Sequence, residues 1–237
     1  KEDWTFSMRH CLKLCGMGLP MGLQYSITAI GSVILQTAVN DMGSTYVAAV
    51  SAGSKISMFM CCPFDAMGST MATYGGQNVG ARRLDRVDQG LKACIKMGII
   101  YALVALAFSI VFGKQLALLF VKKEQIELIG YIYEFVVINA AFYIFLALVN
   151  IVRFMIQGLG YSTFAILAGI CEMIARSVAG FVLVPHFGFI CVSLGSPLAW
   201  VCADLFLIPA YLWVMKQLRR KFGENKISRA KSATATI

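Results

Sequence analysis

The sequence predicts an all-α integral membrane protein, a bundle of six transmembrane helices. Of the 237 residues, 59% are hydrophobic and only 14% are charged, whereas about 25% of the residues of an ordinary soluble domain are charged. The mean hydropathy is +0.73. The charged residues fall in short clusters between long apolar runs, so the helices offer lipid an apolar surface.

Six apolar stretches each approach the ~20 residues that a helix needs to cross a ~30 Å hydrocarbon core. Before them, residues 1–15 mix aromatic, apolar and basic side chains, a pattern typical of an amphipathic connector in the membrane interface. After them, residues 218–237 are polar and basic, which predicts a disordered cytoplasmic tail. The transmembrane lobe is therefore expected over residues 16–217. The six stretches are roughly 17–39, 46–74, 95–119, 130–156, 163–184 and 190–215.

The basic residues are distributed unequally between the two predicted faces. Sixteen Lys and Arg residues, with Arg153 at the end of the fourth helix among them, lie on the face that holds both termini. The opposite face holds three, Lys114, Lys122 and Lys123. By the positive-inside rule both termini are cytoplasmic. The net charge of +9 is explained by this topology, and we expect no nucleic-acid partner.

Several polar side chains fall within the predicted spans, where a charge near the bilayer centre costs at least ~2.5–3.5 kcal/mol. Glu172 and Arg176 are four residues apart on one helix, which predicts a structural ion pair, with a part in a transport pathway as the alternative. Five further polar residues are candidates for a substrate or ion pathway, and the alternatives to that role are interhelical hydrogen bonding, a buried ion pair or exposure at the interface. We expect helix breaks at Pro63 and at Gly195/Pro197. The candidates for a substrate or ion pathway are Gln24, Asp65, Glu134, Asn139 and Asp204.

Catalytic motifs are missing from the sequence. It contains no HExxH, no GxSxG, no Walker lysine motif and no GxGD, so neither the metal ligands nor the nucleophile of these enzyme classes is present. We therefore expect no enzymatic activity, no metal site and no organic cofactor.

The segment GGQNVGARRLDRVDQGLK at 75–92 resembles the cytoplasmic loop of the multidrug and toxic compound extrusion (MATE) transporters. Further similarities follow in the family's order: GLPMGLQ at 18–24, Pro63, RFMIQGLG at 153–160, Glu172 with Arg176, and HFGFICVSLGSPLAW at 186–200. The resemblance covers about residues 10–222. The loop motif itself consists of Gly76, Gln77, Gly80, Ala81 and Arg86.

The resemblance implies two six-helix lobes around a central cavity, and this chain, which begins at Lys1, looks like the second. It would need the missing N-terminal lobe or a second copy of itself. The family's activity would be export of drugs or other cationic amphipathic compounds from a bacterial inner membrane, with Na⁺ or H⁺ as the coupling ion. Thr28 stands where some members carry a Glu. The alternatives are a lipid-linked oligosaccharide flippase of the same superfamily and a non-transporting membrane scaffold subunit.

Overall fold

The computed structural model describes residues 7–234, except for the side chains of residues 13, 17 and 224–234. Within this range the chain is helical and contains no strand. The last long helix is preceded by a π-helical turn, Ala179–Leu183, and a short helix. The α-helices are α1 (Met8–Met42), α2 (Ser44–Gly80), α3 (Leu84–Ala117), α4 (Ile126–Ala141), α5 (Tyr143–Gly158), α6 (Thr163–Val178), α7 (Val184–Phe187) and α8 (Phe189–Thr234).

The helices account for six membrane spans. Five are long and apolar enough to cross a bilayer: α1, α2, α3, the run from α6 to Phe187, and α8 up to Gly223. The sixth is the pair formed by α4 and α5, which are bent by 51° at Phe142 and pass the same test together. With this pair taken as one span, the structure confirms the predicted all-α bundle of six spans.

Helix α5 lies at the centre of the bundle. It packs against α2, α3 and α8, and every residue from Val149 to Gln157 is buried. One apolar core surrounds it, with Phe64, Tyr143 and Leu207 among its fully buried side chains. A second core, around Val39 and Ile132, joins α1, α2 and α4 to the start of α8. Polar residues carried by α5 are therefore forced into the interior.

The predicted helix breaks were wrong in position. Helix α2 continues through Pro63 and α8 through Pro197, because a membrane helix can lose one backbone hydrogen bond where neighbouring groups compensate. The bend falls instead at Phe142, where φ is −103° and ψ is 8°. Just before it, the Asn139 amide donates to the carbonyl of Phe135 at 2.8 Å and to that of Ser193, on α8, at 3.3 Å.

The ends of the bundle are continuous helices. From Met8 the segment predicted as a connector is the first part of α1, and α8 extends past the predicted lobe boundary at residue 217. Residues 1–6 and 235–237 lie outside the described residues. The division into connector, lobe and tail therefore stays a prediction.

Gly158 explains one part of the RFMIQGLG segment. A Cβ atom built at this position would overlap the backbone of Ala72 on α2. The two helices can therefore approach this closely only because residue 158 has no side chain.

We predict that Gly158→Ala lowers the stability of the folded protein by about 1–3 kcal/mol, because the added methyl group forces the two backbones apart. The measurement is thermal unfolding of the purified full-length protein. Gly130→Ala is the matched control, since a Cβ at Gly130 would meet nothing within 4 Å. Equal melting temperatures of the two variants would contradict the packing role of Gly158.

Candidate functional site

A small polar cavity lies where α1, α2, α5, α6 and α8 meet, and we call it the central cavity. Its volume is about 180 Å³. Polar and charged groups from four helices line it, together with aromatic residues of α1 and α8. The lining residues are Gln24, Tyr25, Thr28, Asp65, Leu146, Val149, Asn150, Arg153, Glu172, Arg176 and Trp200.

An ion-pair cluster of Arg153, Glu172 and Arg176 forms one wall of the cavity. Arg176 Nη1 donates to Glu172 Oε2 at 3.3 Å, the pair that the i,i+4 spacing predicts. Arg153 Nη2 donates to the other carboxylate oxygen, Oε1. All three side chains are buried. Because Glu172 is shared by two guanidinium groups, the cluster itself carries one net positive charge.

Arg153 is the residue that the sequence analysis misplaced. Its position near the end of the fourth predicted span put it among the cytoplasmic basic residues, whereas the structure leaves only 5% of it exposed. Its partner Glu172 lies on another helix, so no spacing rule within one helix could reveal the contact. The available signal was the similarity of RFMIQGLG to the family's pattern, which begins at this arginine.

Asp65 and Gln24 face the same cavity. Asp65 Oδ1 accepts a hydrogen bond from Asn150 Nδ2 at 2.9 Å, and the residue is exposed. Gln24 is buried and its Oε1 accepts from Gln157 Nε2 at 3.1 Å. Asp65 is the one carboxylate in the cavity wall that is outside the ion-pair cluster.

The other predicted pathway residues do not line the central cavity. The two hydrogen bonds of Asn139 serve the bend between α4 and α5. Glu134 is half-buried on α4. Asp204 on α8 is 4% exposed, and neither of its carboxylate oxygens has a hydrogen-bond partner.

A second cavity, of about 140 Å³, lies between the central cavity and the end of the bundle where α1 and α2 join. Arg176 lines both cavities. The polar residues of the second cavity are Ser32, Gln36, Ser54, Arg176 and Ser196.

The loop motif ends α2 and turns the chain into α3. The N–H of Ala81 donates to the carbonyl of Gln77 at 3.0 Å, and the next residue, Arg82, has a φ of +57°. Tyr74 Oη donates to the carbonyl of Arg86 at 3.1 Å. These contacts give the motif a structural role.

Ion pairs stabilise the same loop. Asp88 accepts hydrogen bonds from Tyr211 at 2.9 Å and from Arg219, which joins the start of α3 to α8. Arg83 also donates two hydrogen bonds to Asp85, but this pair is exposed to solvent and contributes little stability.

Six apolar spans around a buried ion-pair cluster and a polar cavity define a multi-pass membrane protein. The MatE family profile matches residues 20–182, more than half of the chain. The chain belongs to the MatE family.

The chain is similar in sequence to a curated protein and in fold to several solved structures. A curated protein named "Probable multidrug resistance protein YoeA", from Bacillus subtilis (strain 168), is 22% identical over 112 residues, which are 47% of this chain and 24% of that protein. The crystal structure of a MATE protein in complex with MaL6 has a TM-score of 0.81 at 19% identity, covering 92% of this chain and 50% of that one.

Two further structures extend the comparison. An outward-facing multidrug resistance MATE transporter of the MOP superfamily has a TM-score of 0.79 at 22% identity, with coverages of 92% and 49%. A MOP superfamily transporter from Pyrococcus furiosus, in which the reverse polarity of the binding pocket suggests a different function, has a TM-score of 0.70 at 16% identity, with coverages of 82% and 43%. The chain thus spans about half the length of these solved structures.

We predict that Glu172→Gln destabilises the protein by about 3–5 kcal/mol, because it leaves two buried guanidinium groups without a carboxylate. Thermal unfolding of the full-length protein measures the effect. Glu124→Gln is the control, since Glu124 is exposed in the loop before α4. If both variants unfold at the wild-type temperature, the cluster does not stabilise the fold.

Proposed function

We propose that this chain is one lobe of a secondary active antiporter that exports drugs or other cationic amphipathic compounds. The single observation that carries this function is the position of Asp65. It is an exposed carboxylate in the wall of the central cavity, and it has an amide partner but no arginine partner.

The charges of the cavity support a cationic substrate. Arg153 and Arg176 both donate to Glu172, so neither is free to attract an anion strongly. Asp65 is left as the group that a cation would approach. Tyr25 and Trp200 line the same cavity and offer aromatic faces for cation–π contact.

The size of the cavity supports a second lobe. Its volume of about 180 Å³ is below the roughly 300–1,000 Å³ of typical small-molecule sites. We propose that the remaining wall comes from the missing N-terminal lobe or from a second copy of the chain, as transporter repeats place their substrates between halves. Asp65 would face this second lobe.

We propose Na⁺ or H⁺ as the coupling ion and a bacterial inner membrane as the location. Thr28 lines the central cavity but carries no titratable group, so coupling to H⁺ would use another residue. With Arg153 buried, fifteen basic residues remain on the face of the α2–α3 loop and three on the other. That ratio still favours cytoplasmic termini.

The two alternatives make different demands on the cavity. A flippase for lipid-linked oligosaccharides must hold phosphate and calls for a cationic cavity, whereas the two arginines here are balanced by Glu172 and Asp65. A non-transporting scaffold has no need for a polar cavity that bears an exposed carboxylate. Both features favour the exporter.

We predict that vesicles containing the full-length protein, translated from the whole reading frame, expel ethidium when a Na⁺ or proton gradient is imposed. Dye fluorescence measures the efflux, and protein-free vesicles with the same gradients are the control. If neither gradient drives efflux of ethidium or of a second cationic dye, the antiporter proposal fails.

We predict that Asp65→Asn weakens ethidium binding at least about tenfold, equivalent to about 1.4 kcal/mol, because it removes the carboxylate charge but keeps the side-chain shape. Fluorescence titration of the purified protein measures the affinity. Asp85→Asn makes the same chemical change at the exposed start of α3 and is expected to leave the affinity unchanged. An unaltered affinity in Asp65→Asn would exclude this residue from the site.

A further inference from the structure

A groove at one end of the bundle has no part in the central cavity or in the second cavity, and we call it the α1–α7 groove. It lies between the last turns of α1 and the segment formed by the π-helical turn and α7. Its volume is about 530 Å³, and none of its lining residues lines either cavity described above. The residues that give it its chemical character are Ala38, Asp41, Met42, Phe181, Val184 and Pro185.

Asp41 brings a negative charge to the groove at an unfavourable place in α1. It is the last residue but one of the helix, which ends at Met42. The backbone carbonyl groups that end a helix carry a partial negative charge, so a carboxylate there is unfavourable unless a cation lies nearby. The last turn of α1 contains no basic residue, and Asp41 is exposed and forms no ion pair with any residue that the structure describes. The groove therefore carries a negative charge that a bound cation would compensate.

The walls of the groove are apolar. Met42 contributes from α1, and Phe181, Val184 and Pro185 contribute from the facing segment. Phe181 is exposed, so its ring is free to pack against a bound molecule, and Phe187 on the same segment is exposed as well. Exposed aromatic side chains near the end of a membrane span suit contact with lipid at the level of its headgroups.

The ligand of such a groove must combine a positive charge with an apolar body. A metal ion has no apolar body, and the described residues hold no group of three metal-ligating side chains. A soluble organic cation would leave the exposed apolar surface beside the groove uncovered, whereas the acyl chains of a lipid would cover it. The ammonium headgroup of such a lipid can donate charge-assisted hydrogen bonds to the Asp41 carboxylate.

We propose that the α1–α7 groove binds phosphatidylethanolamine, a lipid whose headgroup ends in a primary ammonium group. Asp41 accepts hydrogen bonds from this group, and the apolar walls hold the adjoining part of the lipid. Phosphatidylcholine keeps the positive charge but has no N–H donor, and phosphatidylglycerol has neither. The affinity therefore falls from phosphatidylethanolamine to phosphatidylcholine and then to phosphatidylglycerol. The site is independent of the proposed export function, because it lies outside the central cavity.

The headgroup contact is tested with the purified full-length protein in detergent and equal amounts of the three lipids, all with the same acyl chains. Native mass spectrometry measures which lipids stay bound. We expect wild type to retain phosphatidylethanolamine about three- to fivefold more than phosphatidylcholine, the size of one exposed ion pair, and Asp41→Asn to lose this preference. Glu124→Gln removes an exposed carboxylate from the same end of the bundle and should keep the preference. Equal retention of the lipids by wild type, or an unchanged preference in Asp41→Asn, would overturn the proposal.

The apolar walls are tested by a matched pair of phenylalanine variants, which also serve if Asp41→Asn does not fold. Phe181 and Phe187 are 66% and 68% exposed, but of the two only Phe181 lines the groove. We expect Phe181→Ala to weaken the retention of all three lipids, because it removes part of the apolar wall, and Phe187→Ala to retain them as wild type does. Equal lipid retention by the two variants would contradict the assignment of the groove.

Ethidium distinguishes a lipid site from a drug site. We expect added ethidium to leave the bound phosphatidylethanolamine in place, and Asp41→Asn to bind ethidium with the wild-type affinity. If ethidium displaces the lipid, or if Asp41→Asn weakens ethidium binding, the groove is a drug site and the lipid proposal fails. If vesicles show no dye efflux while Asp41 still decides the retention of phosphatidylethanolamine, the proposed function fails and the lipid site stands.

Discussion

The buried carboxylate of Glu172 is the group on which the rest of the bundle depends. Two guanidinium groups from two helices donate to it, and Arg176 also reaches the carbonyl of Thr28 on α1 at 3.5 Å. Charges in a membrane interior are found almost always where they are paired or face a water-filled cavity. The pairing therefore fixes α5 against α6 and brings α1 to them, and the central cavity opens where these helices cannot close around the charged groups.

The bend at Phe142 makes this arrangement possible. On both sides of the bend, α4 and α5 pack against the same three helices, α2, α3 and α8, and Arg153 on α5 is buried among them. The Asn139 amide holds the bend to α8, and the absence of a side chain at Gly158 lets the other end of α5 touch α2. The position of Arg153 is thus set at both ends of one short helix.

The charges of the interior differ in their exposure. Two arginines with one glutamate leave the ion-pair cluster with an excess positive charge. Asp65 lies exposed in the wall of the central cavity that this cluster also lines, whereas Asp204 is buried on α8 and has no hydrogen-bond partner among the described residues. The negative charge of Asp65 offsets the excess at the cavity surface.

The sequence by itself determined that this is a membrane protein, how many spans it has, which family it belongs to, and that Glu172 and Arg176 form a pair. These features follow from the length of apolar runs, from local motifs and from i,i+4 geometry, all of which are properties of neighbouring residues. It identified Asp65 and Gln24 as candidates but grouped them with Glu134 and Asn139, which lie elsewhere. Only the tertiary structure decided that Arg153 is buried, that the bend lies at Phe142 and not at a proline, and that Asp204 is buried without a hydrogen-bond partner. These features depend on contacts between helices far apart in the chain, and no local pattern records which side chain a buried charge meets.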